Sequence, residues 1–208
     1  MSDLLLLRKC LGTVLGQRDT YTNLHCTRVE SLSRHLALRC DLNRHERSLL
    51  RDAARLHDVG KIGLADEVWL KIGALDATEW ETVKRHPVLG QETCDAIDHP
   101  NAAQVGRIVR HHHESFDGSG YPDGLEGTRI PVCARIISLA DSYDAMTTTR
   151  AYRPARCHEE TMDIMRGESG SKSDPLLFEL FAKMMATTVG RPEWSNNAFK
   201  PNPVRGAA

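Results

Sequence analysis

Apolar residues recur at helical spacing along most of the chain, and strand-like alternation is weak throughout. The clearest segment runs from Asn43 to Gly60. Asn43 and Glu46 make a capping-box-like start, after which Leu49, Leu50, Ala53, Ala54 and Leu56 share one face. His57 stands four residues beyond Ala53, at the inner end of that stripe, and Gly60 is expected to stop the helix. His25, Val29, Leu32 and Leu36 form a second stripe, so His25 also faces inward. Further on, Val105, Ile108, Val109 and His112 share a face, and His113 follows Val109 by four. His111 instead lines up with Gln104 and Arg107 on the polar side and is expected to be solvated.

A later helix is predicted to open near Pro131 and to carry Ile137, Asp141 and Asp144 at helical spacing. That places two carboxylates on a face expected to be buried. The last helix starts at Asp174-Pro175 and turns Leu177, Leu180, Phe181 and Met184 inward as plain core. Beyond Gly190, with Pro192, Pro201 and Pro203, the pattern reads as irregular surface chain. With no internal repeat or linker, the expectation is one all-α domain over residues 1–190 and a tail over 191–208.

Composition narrows the functional classes. The 208 residues are 40% apolar and 26% charged, ordinary for a globular chain with a sizeable core. A net charge of −1 provides no basic field for nucleic acid. The longest early apolar run, Leu4 to Leu7, is too short for a membrane span and no signal pattern follows it, so a cytoplasmic protein is expected. The six cysteines form no CxxC pair and read as reduced thiols. The ten histidines are the unusual count.

One buried histidine is satisfied by a single hydrogen bond and is most often structural, whereas an unpartnered buried carboxylate costs several kcal/mol. His25, His57, Asp58, His86, His112, His113 and Asp141 would each need a separate explanation, and one metal cluster explains them together. Neighbouring side chains on a helix diverge by about 100°, so His57 and Asp58 reach different parts of one site. A carboxylate can bridge two ions, and His112 and His113 can serve one each. Nitrogen and oxygen donors without thiolate suit iron, manganese, nickel or zinc better than a closed structural zinc site. Two close ions sharing a hydroxide suit in-line hydrolysis of phosphate esters.

The stretches "RDTYTNLHCTRV" (Arg18–Val29), "LHDVGKIGLAD" (Leu56–Asp66), "VKRHPVLG" (Val83–Gly90), "HHESFDGSGYPDGL" (His112–Leu125), "ARIISLADSYDAMTTTRAYRP" (Ala134–Pro154) and "SGSKSDP" (Ser169–Pro175) occur in this order. Together they resemble the HD-GYP domain, a branch of the HD metal-dependent phosphohydrolases. The resemblance implies an all-α, HD-type helical domain with extra helices and a GYP loop. It implies metal ligands at His25, His57, Asp58, His86, His112, His113 and Asp141, holding two divalent ions, iron or manganese. It marks Asp58 and Lys61 as catalytic, with Lys61, Asp144, Arg150 and Arg153 contacting a cyclic dinucleotide. The implied reaction is hydrolysis of cyclic di-GMP to pGpG and on to GMP. The GYP element, Gly120-Tyr121-Pro122, implies contacts with diguanylate cyclase (GGDEF) domains, with Tyr121 as an exposed aromatic.

Three other readings compete with this one: a weakly active module that binds nucleotide or cyclase partners, a cyclic GMP-AMP phosphodiesterase, and a nucleotidase of the wider HD group. Tyr21 departs from the pattern. It lies one turn before His25, where some relatives place a glutamate for a third metal. A phenol ionises near pH 10 and supplies no anion there, so two metals are expected.

Overall fold

The computed structural model describes residues 3–71, 73–149 and 154–188. It is all-helical: α1 (Asp3–Arg18), α2 (Thr20–Ala37), α3 (Arg44–Leu56), α4 (Asp66–Trp69), α5 (Ala77–Val83), α6 (His86–Asp95), α7 (Ala102–Arg110), α8 (Val132–Thr147), α9 (His158–Gly167) and α10 (Pro175–Thr188). Among the described residues the extended pairings are isolated bridges, Asp117 with Glu126 and Ser169 with Ser173. No described helix is long and apolar enough to cross a membrane. Arg150, Arg153 and the tail 191–208 lie outside the described residues.

Local signals set the helix starts. Asp19 caps α2 by accepting from the Tyr21 amide. Asn43 and Glu46 close a reciprocal capping box on α3, and Asp76 and Glu79 do the same on α5. Pro131 precedes α8. The central packing brings α2 against α1, α3 and α8, with α6 lying against α7. One continuous apolar core results, including Val29, Leu32, Leu36, Leu50, Ile136, Ile137, Phe181 and Met184, all within 2% of full burial.

Gly60 does not end a helix, contrary to the sequence expectation. Helix α3 stops at Leu56, His57 caps it, and the chain tightens into a 3₁₀ turn over Val59–Gly63. The glycine serves close approach instead. A Cβ there would lie 2.0 Å from the His86 carbonyl oxygen and 2.4 Å from the Gly90 nitrogen. The turn can therefore rest directly on the start of α6, which brings His57 and Asp58 up to His86.

The GYP loop folds back on itself for a similar reason. A Cβ on Gly120 would meet the Ser115 nitrogen at 2.1 Å and the Glu114 Cα at 2.5 Å. Amides of Phe116 and Asp117 donate to the carbonyls of Lys172 and Ser171, which ties the loop to the turn before α10.

Gly60→Ala tests the close approach. Backbone atoms, not a flexible side chain, oppose the added methyl, so the variant should lose on the order of 3 kcal/mol, at the upper end for overpacking. Thermal unfolding should show a midpoint lower by several degrees. An unchanged midpoint would refute the contact.

Candidate metal centre

Elements distant in sequence converge on one buried centre. His25 comes from α2, His57 and Asp58 from the end of α3, His86 from the first turn of α6, His112 and His113 from just beyond α7, and Asp141 from α8. His25, His57, Asp58, His86 and His112 are each at most 3% exposed.

Three of the imidazoles are fixed in the same way. Nδ1 of His57 donates to the Ala54 carbonyl (2.9 Å), that of His86 to Val83 (2.8 Å) and that of His112 to Val109 (2.6 Å). Each carbonyl lies three residues earlier, at a helix end where it has no partner further along the helix. With the proton on Nδ1, each Nε2 keeps its lone pair and aims it at the centre. Nε2 of His86 and of His112 are then only 3.4 Å apart, two acceptors with no proton between them. Nε2 of His57 is buried without any hydrogen-bond partner. A cation fits this arrangement, because it accepts electron pairs that the protein leaves facing one another.

The candidate donors fall into two groups, His25, His57 and Asp58, and His86, His112 and His113; within each, the ligand atoms lie within 4.8 Å of one another. Asp58 stands between them. Its Oδ1 is 3.4 Å from His86 Nε2, and its Oδ2 is 3.5 Å from His57 Nε2 and 3.9 Å from His25 Nε2. Lys61 Nζ contacts the same Oδ2 at 2.6 Å and sits 4.3 Å above the Trp69 ring. Asp141 Oδ1 is 3.0 Å from His25 Nε2. All seven residues expected as ligands are thus brought together.

Burial dominates the electrostatics. It would raise the Asp58 carboxyl, but Lys61 and three neighbouring imidazoles hold it well below the usual range. The Asp141 carboxyl is likewise lowered against its burial, chiefly by the bond to His25. Burial pushes His57 and His112 down, and takes His86 to about 3 and His113 to about 4. His25 runs the other way: burial lowers it, but bonds to Asp141 and Asp144 raise it to about 9.

Asp144 has a use that its sequence position does not disclose. Its Oδ2 is 2.7 Å from His25 Nδ1, and Arg28 grips the same carboxylate through Nε (2.6 Å) and Nη2 (2.9 Å). Oδ2 thus orients His25, while Arg28 fixes both oxygens of the carboxylate. Tyr21 stacks parallel to His25, with ring centroids 6.3 Å apart and planes at 4°.

His111 and Tyr121 both differ from the sequence expectation. His111 is not solvated; it is 7% exposed. Helix α7 ends at Arg110, and the loop that follows brings Asp123 back over the polar side, closing over the ring. Nδ1 bonds the Arg107 carbonyl (2.8 Å) and Nε2 bonds Asp123 (2.9 Å). Tyr121 is not a free exposed aromatic either. Its ring stacks on His113 at 5.0 Å and 26°, and meets Trp80 edge-on at 6.2 Å. Glu114, 3% exposed and unnoticed in the sequence, accepts from the amides of Asp123 (2.8 Å) and Leu125 (3.1 Å) and so closes the loop.

His111, Glu114 and Asp123 also lie close enough to hold an ion. Arg110 already neutralises Asp123 through Nε (2.7 Å) and Nη2 (2.6 Å) and holds its carboxyl at about 2. That group is a latch of hydrogen bonds, with no orphaned donor to explain.

Residues 1–177 match the HD domain family. The chain belongs to that family of helical domains with a histidine–aspartate centre. Within it, the HHE segment and GYP loop set the chain in the HD-GYP branch. It is 36% identical over 174 residues to a protein of Thermotoga maritima named cyclic di-GMP phosphodiesterase, covering 84% of this chain and 47% of that one. It is 33% identical over 170 residues to the 3'3'-cGAMP-specific phosphodiesterase 2 of Vibrio cholerae, covering 82% of this chain and 33% of that one. The chain thus spans less than half the length of these relatives. Among solved structures, a cyclic GMP-AMP specific phosphodiesterase of V. cholerae superposes with a TM-score of 0.65 at 19% identity, covering 86% of this chain and 48% of that one. The HD domain of a phosphodiesterase from L. monocytogenes gives a TM-score of 0.62 at 16% identity, covering 86% of this chain and 96% of that one. Both likenesses concern the fold.

His57→Ala removes the orphaned Nε2 and should cut bound metal by at least tenfold in elemental analysis of purified protein. His111→Ala should leave metal content intact and lower only the thermal midpoint. Equal metal loss in both variants would contradict the separation of centre and latch.

The shifted histidines also fix a pH profile for protein stripped of metal. His86 and His113, at about 3 and about 4, stay neutral when folded, while the unfolded chain takes up protons below about 6.5. Stability should therefore fall as pH drops from about 6.5 towards 4. His25, at about 9, keeps a proton that the unfolded chain releases above about 6.5, so its contribution is lost as pH rises through 9. Thermal midpoints measured across this span should peak near pH 6.5. A steady climb from 6.5 to 9 would contradict the placement of His25 between two carboxylates.

Proposed function

We propose that this chain is the catalytic unit of a cyclic di-GMP phosphodiesterase that works with two divalent ions. The observation that carries the reading is the pair of donor groups sharing Asp58, built from inward-facing, unprotonated imidazole nitrogens. The names of the relatives supply the substrate class. Divalent ions at such a centre supply Lewis acidity toward phosphate oxygens and activate water at neutral pH.

The chain's own residues supply the rest. His25, His57 and Asp58 are assigned to one ion and His86, His112 and His113 to the other, with Asp58 shared and Asp141 beside His25. Iron or manganese suits this nitrogen and oxygen set. Lys61, held by Asp58 and backed by Trp69, places a cation where phosphate charge would collect. Asp144, gripped by Arg28, is assigned to positioning His25 in preference to contacting substrate. Arg150 and Arg153 are assigned to substrate phosphates by the family pattern. Gly120, Tyr121 and Pro122 hold the loop against His113, and any contact with a diguanylate cyclase domain would fall on the exposed edge at Asp123 and Gly124.

Elemental analysis and turnover measured on one preparation test this reading. The expected result is two ions per chain and hydrolysis of cyclic di-GMP, lost on chelation and restored by iron or manganese. Three tightly held ions would overturn the inference drawn from Tyr21. Hydrolysis of cyclic GMP-AMP alone would change the substrate, and activity surviving full metal removal would overturn the reading itself.

A further inference from the structure

Trp80 is 46% exposed, although it belongs to a short helix that is otherwise well secured. A single exposed apolar side chain is ordinary on a protein surface, and Leu38 and Leu176 are such cases at 67% and 73%. Trp80 differs in its place. Its ring meets Tyr121 edge-on, and Tyr121 in turn stacks on His113 of the candidate centre. The indole therefore stands two ring contacts from a proposed ligand.

Helix α5 makes that position rigid. Asp76 and Glu79 cap its first turn reciprocally, and Lys71 holds the Glu79 carboxylate at 2.6 and 2.7 Å. At the other end, the Val83 carbonyl accepts from His86 Nδ1 and so sets the orientation of that imidazole. One helix thus fixes both a proposed ligand and an aromatic face beside it. The other described indole is differently used: Trp69 is half-buried, and Lys61 Nζ lies over its ring.

We infer that Trp80 is a stacking platform for a purine base of the cyclic dinucleotide. The inference rests on the function proposed above and adds the residue that binds the base. A base in such a substrate lies one ribose from the phosphate at the centre, so it is received outside the donor set, where Trp80 offers a half-exposed ring. Stacking recognises the flat face of any purine and does not read its hydrogen-bonding edge. Trp80 should therefore raise affinity for cyclic di-GMP and cyclic GMP-AMP alike without choosing between them.

The test uses the full, metal-loaded chain and its Trp80→Ala and Trp80→Phe variants, with cyclic di-GMP as substrate. Loss of one base stack should raise KM by about tenfold or more in Trp80→Ala, with kcat within twofold. Trp80→Phe should recover most of the loss. An abasic cyclic bis(ribose phosphate), used as competitor, should inhibit wild type and Trp80→Ala equally. Metal content should match wild type in both variants, which separates base binding from support of His86 through α5. An unchanged KM in Trp80→Ala, or a loss that the abasic competitor shares, would overturn the platform while leaving the phosphodiesterase intact. Wild-type protein that neither binds nor hydrolyses cyclic dinucleotides would overturn both.

Discussion

Two imidazole nitrogens, each with a lone pair and no proton, face each other across 3.4 Å at the middle of the molecule. Left alone this is an unfavourable contact, and a third such nitrogen, on His57, is buried beside it without a partner. Buried acceptors left in this state cost free energy unless something else completes them. Divalent cations do so, and they also balance the Asp58 and Asp141 carboxylates packed among the same rings. The proposed metal centre follows from that single constraint.

The scaffold maintains the arrangement by using the ends of helices. Carbonyls of Ala54, Val83 and Val109, near the ends of α3, α5 and α7, each take the Nδ1 proton of the histidine that follows. His25, from the middle of α2, has no such carbonyl and relies on Asp144 and Arg28 instead. Gly60 permits the close approach that brings two of these helix ends together. The GYP loop, latched through Glu114 and the His111–Asp123–Arg110 group, then lays Tyr121 over His113. Precision at the centre comes mainly from backbone groups, which long side chains could not match.

What the sequence discloses depends on the range of the interaction. The Asn43–Glu46 cap, the start of α8 after Pro131 and the inward stripe behind His25 are local patterns, and each is present as expected. Helical periodicity misplaces His111 because the loop brings Asp123, twelve residues on, back over that polar side, which a local pattern does not show. Gly60 carries the same letter whether it stops a helix or admits a neighbouring backbone, and only the packed α6 distinguishes the two. Arg28 and Asp144 lie 116 residues apart, and no spacing rule could pair them. The stack of Tyr121 on His113 likewise arises from the fold-back of the loop at Gly120, which composition alone describes only as a turn.

The most direct test of the central claim is thermal unfolding of chelator-stripped protein titrated with manganese or ferrous ion. If the opposed imidazoles require a cation, ions bound only by the folded state must raise its stability, by about 2.7 kcal/mol at a hundredfold excess over the dissociation constant. The midpoint should then rise by several degrees and keep rising with ion concentration. A midpoint indifferent to added metal would show that the centre is complete without a cation, and would contradict the claim that the opposed imidazoles require one.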